Sequence, residues 1–464
     1  MSDEQFDAVI IGTGQAGPPL AGAMNEQGWR VAIVERHLLG GSCVNVGCTP
    51  TKAMVASAKA IHQARRGDEF GFDIGGELAV DMQRVHDRIH TIAGNSNEGV
   101  GKWIDGMEHV ELIRGHARLD GPNRVVVDDR VLETERVFLN VGARARVPGI
   151  DGLDEVEFLT NSTLLELTEV PEHLVIVGGS YIGLEFAQIF RRLGAEVTVI
   201  EAGPHLISRD DPDVSEAVLE VMRGEGVGVR LDAECVSVAA GEDGGVRVVV
   251  ECDDGAPEVD GSHLLLAVGR VPNTDDLGLD TTDVEVDDRG YVVVDDQLRT
   301  TVDGIWALGD CNGEGAFTHT SYNDHEIVAS HLFGDGDRAL SDRIVCYALY
   351  TDPPLGRVGM TERQARESSR SVLVGKRKMS RVSRAVEMSE THGFMKFLVD
   401  ADTEELLGGA IFGLHGDEVI HLIADVMYAG APYTTISRAV HIHPTVSELV
   451  PTTLQSLEPL EPLD

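Results

Sequence analysis

The chain has 464 residues, too many for one core and enough for about three units of ordinary domain size. Its 78 acidic against 38 basic residues leave a formal charge of -40, which excludes nucleic acid as a partner because phosphate neutralisation needs a basic surface. Only Lys52, Lys59, Lys102, Lys376, Lys378 and Lys396 are lysines, and so acidic and arginine-biased a surface fits a halophilic cytoplasm in which carboxylate repulsion is screened.

The N-terminal MSDEQFDAVIIGTGQAG is acidic where a secretory signal is basic, and its short apolar run stops at glycine. No later segment reaches the roughly 18 apolar residues of a membrane span, so a cytoplasmic protein with no membrane partner is expected. DAVIIGTGQAGPPLAGAMNEQGWRVAIVE predicts a buried strand, a glycine turn, a helix and a second strand closed by Glu35. GGSCVNVGCTPTK follows, placing Cys43 and Cys48 together at a helix start. From about 52 to 115 the pattern predicts helix, and VVVDDRVLETERVFLNVG predicts short strands returning to the first sheet. HLVIVGGSYIGLEFAQIFRRLGAEVTVIE repeats the opening plan, and the interval from Gly178 to Glu201 equals that from Gly12 to Glu35. TTVDGIWALGD predicts an apolar strand ending at Asp310. A third region opens near Cys346, where FMKFLVDADTEELLGGAIFG alternates as an antiparallel hairpin does, and GDEVIHLIADVMYAG reads as helix. The proline-bearing tail SLEPLEPLD should be extended.

Two such glycine units predict two dinucleotide sites, the second inserted into the first. In Gly12-x-Gly14-x-x-Gly17 the glycines permit a tight turn, close approach of the backbone to a pyrophosphate, and close helix-on-strand packing. The terminal acid then accepts a hydrogen bond from a ribose hydroxyl. The second copy, Gly178-Gly179-Ser180-x-x-Gly183, has serine where the middle glycine usually stands, and its hydroxyl offers phosphate an extra donor. Glu201 favours NADH, because a carboxylate there repels the 2′-phosphate of NADPH. Arg209, beside Asp-Asp-Pro-Asp, reads as a surface ion pair; otherwise it softens that preference.

Six cysteines in a chain of this length do not make a disulfide scaffold. A C-x4-C pair can ligate zinc, but a tetrahedral site needs two further ligands. The other cysteines are scattered and His37 alone does not complete a site, so no metal is expected. Packing and redox use remain, and a helix start just after a dinucleotide unit favours redox use.

These motifs, with AVGRVPNT and HIHPTVSEL, make the chain resemble, nearly end to end, the FAD-dependent pyridine nucleotide-disulfide oxidoreductases, which include lipoamide dehydrogenase, glutathione reductase and mercuric reductase. The resemblance implies an α/β fold of two Rossmann-like, glutathione-reductase-type domains plus a C-terminal α+β dimerisation domain. Its expected boundaries are 1–147 and 276–345 for FAD binding, 148–275 for NAD(P) binding and 346–464 for the interface. NADH, or alternatively NADPH, would reduce the flavin on one face and a disulfide would be reduced on the other.

By resemblance Cys48 is the flavin-contacting thiol and Cys43 the outer thiol that attacks substrate. Lys52 would lie near flavin N5 and pair with Glu185, while Tyr181 would gate the nicotinamide pocket. His443, oriented by Glu448, would be the acid-base residue of the other subunit's site in a homodimer, with His441 a structural neighbour. Gly41, Ser42, Ala117 and Gly142 are further expected cofactor contacts, as are Gly269 and Arg270 in AVGRVPNT and Thr318 and His319 after the flavin aspartate.

Several features separate the relatives. Glu201 stands where glutathione reductases usually carry arginines, and the tail lacks the cysteines that high-molecular-weight thioredoxin reductases and mercuric reductases use. VNVGCTPTK, GAFTHTSYND and YALYTDPPLGRVGMTE nevertheless resemble the mercuric-reductase-like branch near the reactive-chlorine resistance flavoproteins. The expected activity is NAD(P)H-dependent reduction of a small disulfide or metal ion. Dihydrolipoyl dehydrogenase is the alternative, because the histidine-glutamate pair is intact. A flavoprotein that senses NADH without turnover is the alternative of another class, against which a dithiol argues.

Overall fold

The computed structural model describes residues 3–76, 78–241, 244–252 and 257–461. The apolar runs Ala8–Ile11 and Val31–Glu35 form strands buried at every position. They occupy a five-stranded parallel sheet in the order 305–307, 137–139, 8–11, 31–35, 110–114. A strand covered on both faces has no polar side, which is why these segments read as unbroken apolar runs. Helix Gly17–Glu26 connects the first two, with proline in its opening turn, where a missing N–H costs nothing.

His173–Val177, helix Tyr181–Leu193 and Glu196–Ile200 repeat the unit in a second parallel sheet, ordered 228–230, 196–200, 173–177, 263–266. That second helix is buried nearly all round, including Glu185, Gln188 and Arg192. Its partner is the helix Cys48–Arg65, and a single core joins Met54 and Ala58 to Phe186, Phe190, Leu355 and Phe412. The helix that begins at Cys48 is therefore wedged between the second unit and the C-terminal region. Ion pairs lock the wedge: Asp352 accepts from Lys59 at 2.8 Å and from Arg192 at 2.7 Å, and Arg192 also meets Glu225 at 2.7 Å.

The C-terminal region is a six-stranded antiparallel sheet, ordered 346–349, 355–359, 406–412, 394–400, 372–378, 458–459. The expected hairpin is present, but both its strands are buried along their whole length, so its apparent alternation does not mark a solvent face. Lys396 occupies a central strand position and is tolerated because Asp211, Asp213 and Glu362 meet its ammonium at 2.8–2.9 Å. Proline in the tail is accommodated by edge pairing of Glu458–Pro459.

Other expectations are corrected. The two cysteines do not share a helix start: Cys43 lies in the short turn Gly41–Asn45, and Cys48 opens the long helix. The stretch from 52 to 115 holds two helices, ending at Arg65 and running Met82–Asp105, followed by the strand Val110–Arg114. Only Val137–Leu139 returns to the first sheet, whereas 124–127 and 130–133 join a separate small sheet. Asp310 stands beyond the strand Ile305–Ala307, in the turn Gly309–Asn312.

Lys396→Met removes, from a side-chain site that is 1% exposed, the one cation that all three carboxylates share among the described residues. A loss on the order of 3 kcal/mol is expected, because the acids are left facing one another. A melting temperature equal to that of the parent would show that the carboxylates repack without it.

Candidate active site

Each glycine unit is a packing necessity before it is a binding site. Gly12 has φ +106°, and a Cβ there would stand 2.2 Å from the Asn140 carbonyl; Gly178, at φ +115°, would meet that of Ala267 at 2.5 Å. Gly17 and Gly183 let their helices start against these turns, since a Cβ at either would collide with the carbonyl of Gly12 or Gly178. The closing acids tie the loops down. Glu35 accepts from the Thr13 amide at 3.0 Å and the His37 amide at 2.8 Å, and Glu201 accepts from Gly179 at 2.7 Å and Gly203 at 2.9 Å.

A cavity of about 720 Å³ runs from the first glycine turn to the cysteines. It gathers Gly12, Gly14, Glu35, Gly41, Ser42 and Ala117 with Gly142, Arg270, Asp310, Thr318 and His319. Cys43, Cys48, Lys52, Tyr181 and Glu185 form its other end. Gly41, at φ +64°, lets its turn approach Gly14, where a Cβ would come within 2.9 Å of the neighbouring Cα. Asn45 and Asn97 hold that turn through the Leu39 carbonyl, each at 2.8 Å.

Cys48 is the first residue of one helix, and its Sγ lies 3.2 Å from Oγ1 of Thr318, the first residue of another, Thr318–Phe333. Two helices thus begin beside one sulfur. A hydrogen bond from Cys43, then those from Thr318 and the charge of Lys52, bring the Cys48 thiol down to about 6 against the opposing cost of burial. Cys43 is pushed up, because its proton is held by Cys48 and its own surroundings are dry. The negative charge of the pair therefore resides on Cys48.

Lys52 and Glu185 meet at 2.5 Å, joining the cysteine helix to the second unit. Glu185 also accepts from the Tyr350 amide at 3.0 Å, and the Lys52 ammonium lies 4.7 Å from the Tyr350 ring. Tyr181 donates to Asp210 at 2.6 Å and meets Tyr347 edge-on at 5.5 Å. Asp210 and Asp211 turn inward, toward Tyr181, Arg357 and Lys396, so exposed Arg209 forms no ion pair among the described residues, contrary to expectation.

Gly178, Gly179, Ser180, Gly183, Glu201 and Gly269 do not line this cavity but sit at the second glycine turn and its flank. His443 and Glu448 are also elsewhere. Their side chains meet at 2.8 Å, yet the imidazole is 72% exposed, beside uncovered Val440 and Ile442. His441 points at the Ala439 carbonyl at 3.4 Å. Asn140, Tyr350, Asp210 and Tyr347 were not foreseen, because only the docking of distant segments brings them to the site.

Family comparisons agree along the chain. Residues 6–324 match the model for "Pyridine nucleotide-disulphide oxidoreductase", and residues 345–454 match the dimerisation domain of the same group. The chain belongs to the pyridine nucleotide-disulphide oxidoreductase family. This oxidoreductase is 37% identical to the probable pyridine nucleotide-disulfide oxidoreductase RclA of Escherichia coli K12, over 96% of the chain and 97% of the relative. It is 32% identical to the dihydrolipoyl dehydrogenase of Chlorobaculum parvum, over 97% and 96%. It is equally 32% identical to the mercuric reductase of Streptomyces lividans, over 96% and 94%. The structure titled "Cu(II) complex of HOCl-induced flavoprotein disulfide reductase RclA from Escherichia coli" superposes with a TM-score of 0.88, at 34% identity, covering 97% of this chain and 99% of that one.

The oxidoreductase fold is thus of the glutathione-reductase type, and its cofactors are FAD and NAD(P)H. The cavity fits the flavin nucleotide on its own terms. Gly12, Gly14 and Gly41 line its cradle as bare backbone, half-buried Asp310 stands at its wall, and Arg270 Nε is buried without a hydrogen-bond partner. Burial pushes the Asp310 carboxyl up, against the pull of Arg270 at 3.4 Å.

In the dithiol form, the Cys48 thiolate should persist down to about pH 6 and protonate below it. Cys43→Ala should raise that midpoint by on the order of one pH unit, read from thiolate absorbance or alkylation rate against pH. An unchanged midpoint would show that Cys43 does not hold the charge on Cys48.

Proposed function

We propose that this FAD-dependent oxidoreductase uses Cys43 and Cys48 to reduce a small disulfide or a metal ion, with NADH as the preferred donor, as a cytoplasmic homodimer. The observation that supports this most directly is the low-pKa Cys48 sulfur beside Thr318 at the end of the dinucleotide cavity. FAD held there would accept a hydride from NAD(P)H and return two electrons to the Cys43–Cys48 disulfide.

The protein's own residues account for the rest. Attack by the Cys43 sulfur on a substrate disulfide expels one thiolate and leaves a mixed disulfide. Cys48 thiolate then attacks the Cys43 sulfur, expels the second thiolate and forms the internal disulfide. Protons must leave Cys43 and reach the departing sulfurs, which suits a histidine near neutral pKa. The exposed His443, with Nδ1 meeting Glu448 at 2.8 Å, would serve a neighbouring subunit rather than its own cysteines. The adjacent exposed Val440 and Ile442 and the matched dimerisation domain favour that arrangement. Lys52 would position the dithiol end of the cavity through Glu185, and Tyr181 would cover the nicotinamide side while tethered by Asp210.

Among acceptors, the similarity to RclA, for which a Cu(II) complex is titled, favours a disulfide or a metal ion. The intact His443–Glu448 pair supports dihydrolipoyl dehydrogenase as the second reading. NADH preference rests on Glu201, which would meet the ribose at the second glycine turn; the unpaired Arg209 leaves NADPH as the alternative donor.

Anaerobic NADH titration should produce a long-wavelength absorption band from the Cys48 thiolate beside the flavin, absent in Cys48→Ser. A parent protein without that band would end the dithiol reading. Side-by-side turnover of dihydrolipoamide, oxidised glutathione, Hg(II), Cu(II) and quinones should favour a disulfide or a metal ion; fast dihydrolipoamide oxidation would select the second reading. His443→Ala should slow thiol–disulfide exchange by roughly a hundredfold or more while flavin reduction is nearly unchanged. Equal slowing of both would remove His443 as the proton carrier.

A further inference from the structure

The helix Met82–Asp105 starts at Asp81, whose carboxylate caps the Arg84 amide at 3.1 Å. One turn in, His86 and His90 share a face, with ring centroids 4.1 Å apart. Glu166, at the end of the turn Leu164–Glu166, closes over them from the segment that leads into the second unit. Its Oε2 lies 3.6 Å from His90 Nε2 and 3.9 Å from His86 Nε2, and the three ligand atoms fall within 4.8 Å of one another.

Neither separation is a hydrogen bond, and His90 Nε2 is buried with no partner. A buried ring nitrogen without a hydrogen-bond partner is a free ligand atom. His86 is already oriented for a cation: its Nδ1 faces Asp87 Oδ1 at 3.4 Å, and Asp87 is held in turn by Gln83 at 2.8 Å. A proton on Nδ1 facing that carboxylate would leave the Nε2 lone pair free for an ion, which is how metal-binding histidines are fixed. An ion bound at 2.0–2.1 Å in tetrahedral geometry spaces its ligands about 3.3 Å apart. The observed separations need only a small side-chain closure to reach that value.

The other cluster of potential ligands, Asp211, Asp213 and Glu362, is filled by the Lys396 ammonium and offers no room. The histidine cluster contains no lysine or arginine nitrogen paired to Glu166 among the described residues. Two imidazoles and one carboxylate favour borderline-soft divalent ions over calcium or magnesium. Exposure of Glu166 leaves a path of entry and a coordination position for water.

We propose that His86, His90 and Glu166 bind one d-block dication of the zinc, nickel or copper(II) type, at a site separate from the dithiol. The ion would staple two parts of the chain. Arg88, between the histidines, donates to the Ala53 carbonyl at 2.6 Å on the Cys48 helix, so the metal helix is already fastened to the cysteine helix. Binding Glu166 ties that pair of helices to the connection entering the second dinucleotide unit.

The test uses the FAD-loaded dimer carrying Cys43→Ser and Cys48→Ser, so that the dithiol does not compete. Calorimetry with Zn(II) should give one equivalent per chain, and Cu(II) should give an axial electron paramagnetic resonance spectrum with two-nitrogen hyperfine structure. His90→Ala and His86→Ala should each weaken Zn(II) by more than tenfold and remove one nitrogen from the copper spectrum. Glu166→Gln should weaken Zn(II) without changing the nitrogen count, and Asp87→Asn should cost roughly tenfold as a positioning residue. Zn(II) should raise the melting temperature of the double-serine parent but not of the histidine variants, whose flavin content reports folding. No Zn(II) equivalent in the parent, or equal affinity in both histidine variants, would overturn the site.

Discussion

A sulfur anion is stable at the inner end of a protein cavity only if positive potential and hydrogen-bond donors meet it there, and Cys48 is placed where they do. The Cys43 thiol, the hydroxyl of Thr318 that opens another helix, and the Lys52 ammonium all act on the same sulfur, itself at the first position of a helix. Cys43 completes the arrangement by donating its proton, which is why one thiol of the pair is acidified and the other is not. That division of labour is what a stepwise dithiol reductant needs: one sulfur carries charge, and the other waits to be deprotonated.

Holding that point rigid requires more than the two helices. The Cys48 helix packs into a core shared by the second dinucleotide unit and the C-terminal sheet. Its polar flank is fastened at Lys52 to Glu185 and at Lys59 to Asp352. Two of the chain's six lysines are thus spent on one helix in a protein that otherwise relies on arginine. A buried third, Lys396, gathers carboxylates from the second unit and the C-terminal region. Such pairs contribute little net stability over apolar packing, but they penalise any docking of the regions that leaves a charge alone.

The proposed gate and proton carrier follow the same logic at longer range. Tyr181 is tied to Asp210, and that acid is shared with Tyr347 and faces buried Arg357 from the C-terminal sheet. His443 and Glu448 form a finished pair on an open surface with apolar neighbours, a combination that makes physical sense when a second copy covers it.

What the amino-acid sequence determined by itself was whatever is local: the two strand–glycine–helix units, their closing acids, the spacing of the dithiol, and the pairing strands of the C-terminal hairpin. Apolar runs and glycines at φ-positive turns act through neighbours a few residues away, so their pattern is written in order along the chain. The family motifs extended this to Lys52 with Glu185 and His443 with Glu448. Only the tertiary structure decided the rest. The separate starts of the Cys43 turn and the Cys48 helix, the inward rotation of Asp210 and Asp211 away from Arg209, and the burial of both hairpin faces depend on which distant elements dock. The meeting of His86 and His90 with Glu166 shows the division most plainly. His86 and His90 stand four residues apart on one helix, but Glu166 is supplied by a separate segment, and no local periodicity encodes where that segment comes to rest.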